Sequence, residues 1–243
     1  MLKSERHQFI ENQLIKNGVV RVTELANLLD VDVVTIRRDL TQLEQQGRCQ
    51  RVHGGAVNKE QSVSPLPSGT MEQRIAEAAS KFIPDSSVLF LGPGTLTSAI
   101  VPFLQQHTHL TIVTNALDAA WSLSRPLIHT LHIIGGQVND DFGIFGDLDA
   151  LRNMRVDWVV LEVDGLDAEK GLTVEQRGYA EIARALFKLS AQTLIVLPPD
   201  RIGRAGALFI APASEVDIVI TGREAPNPPL WDLSELGMRI VLA

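Results

Sequence analysis

Residues 33–40 read Val33-Val34-Thr35-Ile36-Arg37-Arg38-Asp39-Leu40, and this stretch decides the fold of the N-terminal part of the chain. Ile36, Leu40 and Leu43 recur at the three- and four-residue spacing of one helix face, while Thr35, Arg37, Arg38 and Thr41 fall elsewhere. The spacing predicts a helix over residues 33–46, with Asp32 placed to cap it. Working upstream, Asp30-Val31-Asp32 reads as a tight turn, and Thr23 as the cap of a second helix over residues 24–29 carrying Leu25, Leu28 and Leu29. Before it, Val19-Val20-Arg21-Val22 is β-like, and residues 6–16 form a first helix with Phe9, Ile10 and Leu14 apolar, stopped by Gly18. Downstream of Gly47, residues 48–57 read as a β-hairpin with Gly54-Gly55 at its turn.

Helix, tight turn, helix and hairpin make a winged helix-turn-helix, which places one helix in a DNA major groove. An α-helix is about as wide as the ~12 Å groove, and arginine grips a guanine edge or a phosphate with two hydrogen bonds. The residues assigned to DNA are Thr23, Val34, Thr35, Arg37 and Arg38, with Arg51, His53 and Gly54 from the hairpin as a wing. The net charge of −7 argues at first against such a partner. Its distribution does not: residues 1–60 hold 9 Lys or Arg against 8 acids, and residues 61–243 hold 13 against 21. Arg48, Arg51 and His53 lie in a ten-residue stretch without any acid, a locally basic edge.

Residues 58–70 carry two prolines, a glycine, four Ser or Thr and almost no apolar periodicity, the composition of a linker. The domain reading is therefore residues 1–57, a linker over 58–71, and a larger unit over 72–243. In that unit helical patterns (72–82, 96–106, 117–123, 178–190) alternate with short apolar runs (87–91, 110–114, 130–134, 157–163, 193–197, 216–221, 238–242). Continuous apolar strands alternating with helices predict an α/β fold with a mostly parallel sheet covered on both faces.

In residues 88–97 a buried strand runs through the Gly92-Pro93-Gly94 turn into a hydroxyl-rich helix start with Thr95 and Thr97. The free N–H groups and dipole of a helix N-terminus favour an anion, and Gly94 lets it reach the backbone. Thr114-Asn115 and Gly135-Gly136 end two further strands, and in a parallel sheet such ends share the rim where ligands bind. The loop lacks the Gly-Lys-Ser/Thr of a P-loop and the dinucleotide fingerprint, so no cofactor is assigned. No metal-ligand spacing occurs among the six histidines, and no catalytic residue is assigned. Asp164, Asp167, Glu169, Lys170 and Glu175 keep open an isomerase-type enzyme, with a solvated charged loop the simpler reading. No apolar run approaches membrane-span length, no secretory signal core opens the chain, and Cys49 stands alone, so a cytoplasmic protein without an intrachain disulfide is expected.

The N-terminal pieces Thr35-Ile36-Arg37-Arg38-Asp39-Leu40 and His53-Gly54-Gly55-Ala56, with Val22-Thr23-Glu24-Leu25-Ala26, closely resemble the DNA-binding domain of the DeoR family of sugar-responsive repressors. Gly94-Thr95, Val113-Thr114-Asn115-Ala116-Leu117, Ile134-Gly135-Gly136, Asp164-Gly165, Gly171-Leu172-Thr173 and Arg201-Ile202-Gly203 resemble the sensor domain of the same family. That domain is similar in fold to ribose-5-phosphate isomerase and CoA-transferase-like proteins. The resemblance implies an operator-DNA partner and a phosphorylated sugar as effector, held by Gly92, Gly94, Thr95, Thr97, Thr114, Asn115, Gly135 and Gly136. Asp164 reads either as a ligand to a sugar hydroxyl or as the cap of the turn before Gly165, and Arg201 either as an anion contact or as an exposed structural residue. The chain departs from the family pattern at Asp32, where the family usually has Ser, and at three places in the sensor domain. Gly92-Pro93-Gly94-Thr95-Leu96 stands for Asp-x-Gly-Thr-Thr, Ala183-Arg184 for Lys-Arg, and Pro198-Pro199-Asp200-Arg201 for Asp-Ser-Ser-Lys. A C-terminal unit serving only for assembly is the remaining alternative. Because DNA half-sites are symmetric, a homodimer or homotetramer joined mainly through that unit is expected.

Overall fold

The computed structural model describes residues 3–52, 54–58, 69–139, 143–146, 149–151 and 154–243. His53 and most of the predicted linker lie outside the described residues. The head is built from α1 (Lys3–Asn17), β1 (Val19–Arg21), α2 (Val22–Leu29), α3 (Val33–Gln45), β2 (Cys49–Val52) and β3 (Gly55–Asn58). Its three strands form one antiparallel sheet in the order β1-β3-β2. Ile10, Leu14, Leu25, Ile36, Leu40, Leu43 and Cys49 close a core between helices and sheet. Each such aliphatic side chain contributes roughly 1.5–3 kcal/mol on full burial. Cys49 packs there as a small apolar residue, its thiol directed at the Leu40 carbonyl.

Two details differ from the sequence reading. The second helix starts at Val22 with Arg21 at its N-cap, so Thr23 lies inside the first turn and caps nothing. Asp32 is the N-cap of α3 through its backbone carbonyl, which accepts from Thr35 and Ile36, and its side chain makes no capping bond. The predicted turn is closed by Asp30, which takes a left-handed conformation and donates back to α2.

The second unit runs α4 (Met71–Ser80), β4 (Val88–Leu91), α5 (Thr95–Leu104), β5 (Thr111–Thr114), α6 (Leu117–Leu123), β6 (Thr130–Ile133), and the hairpin β7 (Gly136–Val138) with β8 (Ile144–Gly146). It continues with β9 (Val156–Glu162), β10 (Gly165–Asp167), β11 (Gly171–Val174), α7 (Arg177–Phe187), β12 (Ser190–Val196) and β13 (Leu208–Ala211). The chain closes with β14 (Ile218–Thr221), α8 (Asn227–Glu235) and β15 (Arg239–Leu242). Met71 opens α4, which Thr70 and Gln73 close with a capping box, and Asn58 ends β3. Both residues had been assigned to the linker; both belong to regular elements.

Seven strands form a fully parallel sheet in the order β15-β14-β12-β9-β4-β5-β6. One face packs α4, α5 and α6 over Leu89, Leu91, Ile112, Val160, Leu194 and Ile220. The other packs α7, α8 and the small antiparallel sheet β10-β11-β13 over Phe90, Val159, Leu161, Ile195, Val219 and Ile240. The predicted parallel sheet covered on both faces is the observed architecture.

Strand order, more than any single loop, places the site. From β4 the chain steps outward to β5 and β6, then returns to the other flank of β4 as β9 and steps outward again through β12, β14 and β15. The order reverses between β4 and β9, and the crevice beyond the carboxyl ends of those two strands is where open sheets bind ligands.

Candidate nucleic-acid interface and effector pocket

In α3 the apolar side chains and Asp39 face the core, while Val34, Arg37 and Arg38 stand exposed and Thr35 is half-exposed. Among the described residues neither Arg37 nor Arg38 has a side-chain partner, so both guanidinium groups stand in solvent. They are not packed under the sheet unit, the arrangement that would have excluded a groove-reading role. Val34 keeps 57% of its surface on the same helix, an apolar contact of the kind that meets a thymine methyl.

The orientation of α3 is fixed from behind. Asp39 is buried and accepts from Arg6 Nε at 2.5 Å and from His7 Nε2 at 3.1 Å, tying α3 to α1. Burial works against its charge, yet the hydrogen bonds from Arg6 and His7 prevail and hold the carboxyl below its ordinary range. Asp39 lies three residues after Ile36 and four before Leu43, on the core face of the helix, and only the tertiary fold supplies its partners.

Arg51 joins the hairpin to this helix: its Nη1 donates to Thr41 Oγ1 at 2.9 Å and its N–H to Glu44 Oε1 at 2.8 Å. Thr23 is exposed on the first turn of α2. Gly54 has a different neighbour. At φ +86°, it lies so close to Trp231 of α8 that a Cβ there would sit 2.4 Å from Cη2. Arg21, one strand away, stacks over the Trp231 ring at 5.3 Å, donates to Glu235 Oε1 at 2.5 Å and pairs with Asp232. The wing turn therefore rests on the second unit.

The pocket at the β4/β9 crevice has a volume of about 520 Å³. Pro93, Gly94 and Thr95 line it from the β4 side, Glu162, Val163 and Asp164 from the β9 side, and Glu175, Gln176 and Tyr179 from the start of α7. Asp118, Asn139, Gly143 and Phe145 complete the wall. Gly94, Thr95 and Asp164 are thus brought together in one wall.

The other candidates do not line it. Thr97, Thr114 and Asn115 are fully buried and brace the chain. Thr97 donates to the Gly94 carbonyl, Thr114 to the Leu91 carbonyl, and Asn115 to the Ile144 carbonyl at the turn end of the β7–β8 hairpin. Gly92 faces Leu161 and Tyr179, and Gly135 and Gly136 lead into β7 beyond the edge strand. Arg201 points at Asp164 from outside the lining, 3.1 Å from its carbonyl and 3.5 Å from its carboxylate. The physical reason is the topology: β5 and β6 lie to one side of the reversal, so their ends flank the crevice instead of lining it.

Glu162 is the most telling of the lining residues that the sequence does not reveal. Its Oε2 accepts from the Leu96 N–H at 2.7 Å, so a carboxylate of the protein itself sits at the N-terminus of α5. Gly94 makes room for it: at φ +146°, a Cβ there would lie 2.3 Å from Glu162 Oε2. Burial pushes the Glu162 carboxyl up, opposed by the N–H groups of Leu96 and Thr97. Tyr179 donates to the Glu162 carbonyl at 2.7 Å, and burial holds its phenol protonated well above the ordinary range. With Asp118, Asp164 and Glu175 in the same wall and no lysine or arginine in the described lining, the pocket is rich in acceptors for hydroxyl groups.

A winged helix with an exposed arginine face, joined to a doubly covered parallel sheet with a polar pocket at its reversal point, defines a ligand-responsive DNA-binding regulator. The DeoR-like helix-turn-helix domain matches residues 6–62, and the DeoR C-terminal sensor domain matches residues 69–223. The chain belongs to the DeoR family of transcriptional regulators. It is 30% identical to the glycerol-3-phosphate regulon repressor of Haemophilus influenzae, over all of this chain and 98% of that one. To the repressor of the same name in Escherichia coli it is 31% identical, over 94% of this chain and 93% of the other. Among solved structures, ribose 5-phosphate isomerase A of Methanocaldococcus jannaschii superposes with a TM-score of 0.40 at 14% identity, covering 54% of this chain and 53% of that one. The family and these relatives are regulators of transcription, and the chain is a DNA-binding regulator and not an enzyme. Among the described residues no helix is long and apolar enough to cross a membrane.

Proposed function

We propose that this protein is a cytoplasmic repressor of a carbohydrate-utilisation operon, that it binds its operator through α3, and that a phosphorylated sugar or polyol in the β4/β9 pocket modulates that binding. The observation that carries the DNA reading is the side chains of Arg37 and Arg38, exposed on α3 and unpaired among the described residues. Val34 and Thr35 add base-edge contacts, and Thr23 and Arg51 reach phosphates. The relatives named for a glycerol-3-phosphate regulon support a small phosphorylated effector, and the acceptor-rich wall suits its hydroxyls. The protein acts as a homodimer or homotetramer, matching the two-fold symmetry of operator half-sites.

Replacing Arg37 and Arg38 together with alanine tests the reading. Fluorescence anisotropy against the upstream region of its own operon is expected to show specific binding lost, with a salt slope smaller by about one or two. Unchanged affinity and salt dependence would refute the assignment of α3. Sugar phosphates should raise the Tm saturably without being turned over.

A further inference from the structure

The parallel sheet ends at β6, which among the described residues has a neighbour on one side only. Thr130 and Ile134 donate their N–H groups towards β5, to the carbonyls of Leu110 and Thr114. By strand alternation, the N–H and C=O of Leu131 and Ile133 point outward, away from the sheet.

Edge strands of soluble proteins are ordinarily blunted by charges, prolines or a covering element. This one carries no charge to protect it: residues 126–139 contain no Asp, Glu, Lys or Arg. Instead the edge is apolar. Ile133 is 52% exposed, Leu127 64% and Ile128 50%. On α6, beside β6, Leu117 and Trp121 lie one turn apart and are 41% and 65% exposed. Together these five side chains bare on the order of 500 Å² of apolar surface, at the upper end of what a soluble monomer leaves uncovered. That is more than half of the roughly 800 Å² each partner contributes to a stable interface. Arg125, stacked over Trp121 at 4.6 Å, gives the patch a polar rim.

We infer that β6 and α6 form the interface with a second copy of this chain, the two β6 edges pairing antiparallel about a two-fold axis with α6 packed against α6. This inference rests on the homo-oligomeric reading above and names its surface. A two-fold axis perpendicular to the sheet keeps both α6 helices on the same face and brings Leu117 and Trp121 of each towards the other. Apart from Arg125 at its rim, the β6 part of the patch carries no charge, so an isologous contact along that edge opposes no like charges. The arrangement also leaves both heads free, because each docks at the opposite end of the sheet, against α8 and β15.

Sedimentation velocity of the full chain tests this, with Trp121→Glu and Ile133→Glu introduced singly and together. Both sites are exposed, so an unchanged melting temperature separates a lost interface from a lost fold. The wild type is expected to sediment as a dimer or a dimer of dimers, and the double variant at half that mass. In parallel, Trp121→Cys treated with a bismaleimide should yield a covalent dimer, Cys49 being buried and unreactive. An oligomer that survives both glutamates, with no cross-link, would overturn the surface while leaving the oligomeric reading intact. A wild type that sediments as a monomer at micromolar concentration would overturn both.

Discussion

At the scale of single residues, Glu162 is the most consequential position in the sensor. It holds the N–H groups at the start of α5 that an effector's phosphate would otherwise take, so the two anions compete for one seat. Its carboxyl already resists ionisation because it is buried. For a carboxyl held above its ordinary value, protonation becomes easier as the pH falls, and a protonated Glu162 no longer repels a phosphate. Affinity for a phosphorylated ligand is therefore expected to rise as the pH falls towards the raised Glu162 value, for as long as the phosphate keeps its own charge. Glu162→Gln keeps an oxygen for the Leu96 N–H but removes the charge. It should bind inorganic phosphate or a sugar phosphate roughly ten-fold more tightly, equivalent to about 1.4 kcal/mol, with the pH dependence flattened. Calorimetric titration at pH 6 and pH 8 measures this; weaker binding by the glutamine variant would show instead that Glu162 is a direct ligand. The sequence showed Gly94, Thr95 and Asp164 because glycine turns, helix starts and the Asp-Gly pair are local signals. It hid Glu162, Gln176 and Tyr179, because their role comes from the adjacency of β9 and α7 to β4, which no spacing reveals.

At the scale of elements, most helices and strands were legible, and the failures share a cause. α8 is hard to read in the sequence because Pro226, Pro228 and Pro229 crowd its start. Proline suits the first turn of a helix, where its missing N–H has no partner to lose, and all three lie at the start of α8. The hairpin β10–β11 was read as a charged loop, since strands of three and four residues are too short to show alternation. α8 turns out to hold the wing: Trp231 presses on Gly54, and Asp232 and Glu235 grip Arg21. That contact fixes the position from which the wing turn, itself exposed at Gly54, meets a phosphate backbone, and so restrains the head. Trp231→Ala removes the stacking and the turn's support, together worth about 1–2 kcal/mol. DNA affinity is expected to rise by roughly five- to ten-fold, and the response to effector to shrink. A fall in affinity in the same anisotropy titration would show that docking prepares the head for DNA instead of restraining it.

At the scale of the whole molecule, the parallel sheet covered on both faces was legible from the alternation of apolar runs and helical patterns, but its strand order was not. The sequence places three glycine- and hydroxyl-rich loops on one rim, with the Gly92-Pro93-Gly94 turn the most informative of them. The order β15-β14-β12-β9-β4-β5-β6 concentrates the site between β4 and β9 and relegates Thr114, Asn115, Gly135 and Gly136 to its flank. The same order sets a length. If two sheets join at β6, fourteen strands at about 4.8 Å place the two β15 edges roughly 60 Å apart. Heads docked there suit half-sites separated by about two helical turns better than one, a turn being about 34 Å. Footprinting on operators with half-site centres 10, 15 and 21 base pairs apart should favour the longest; a preference for 10 would require the heads to leave their docked positions.

Val19 belongs to the head by sequence but to the sheet unit by burial: it lies 3% exposed in the same apolar cluster as Met238 and Ile240. The two units thus share a packed apolar contact, which gives any movement started at the crevice a solid route to α3. Changing the length of the stretch between Asn58 and Gly69 should then leave induction largely untouched, since the packed contact carries the coupling.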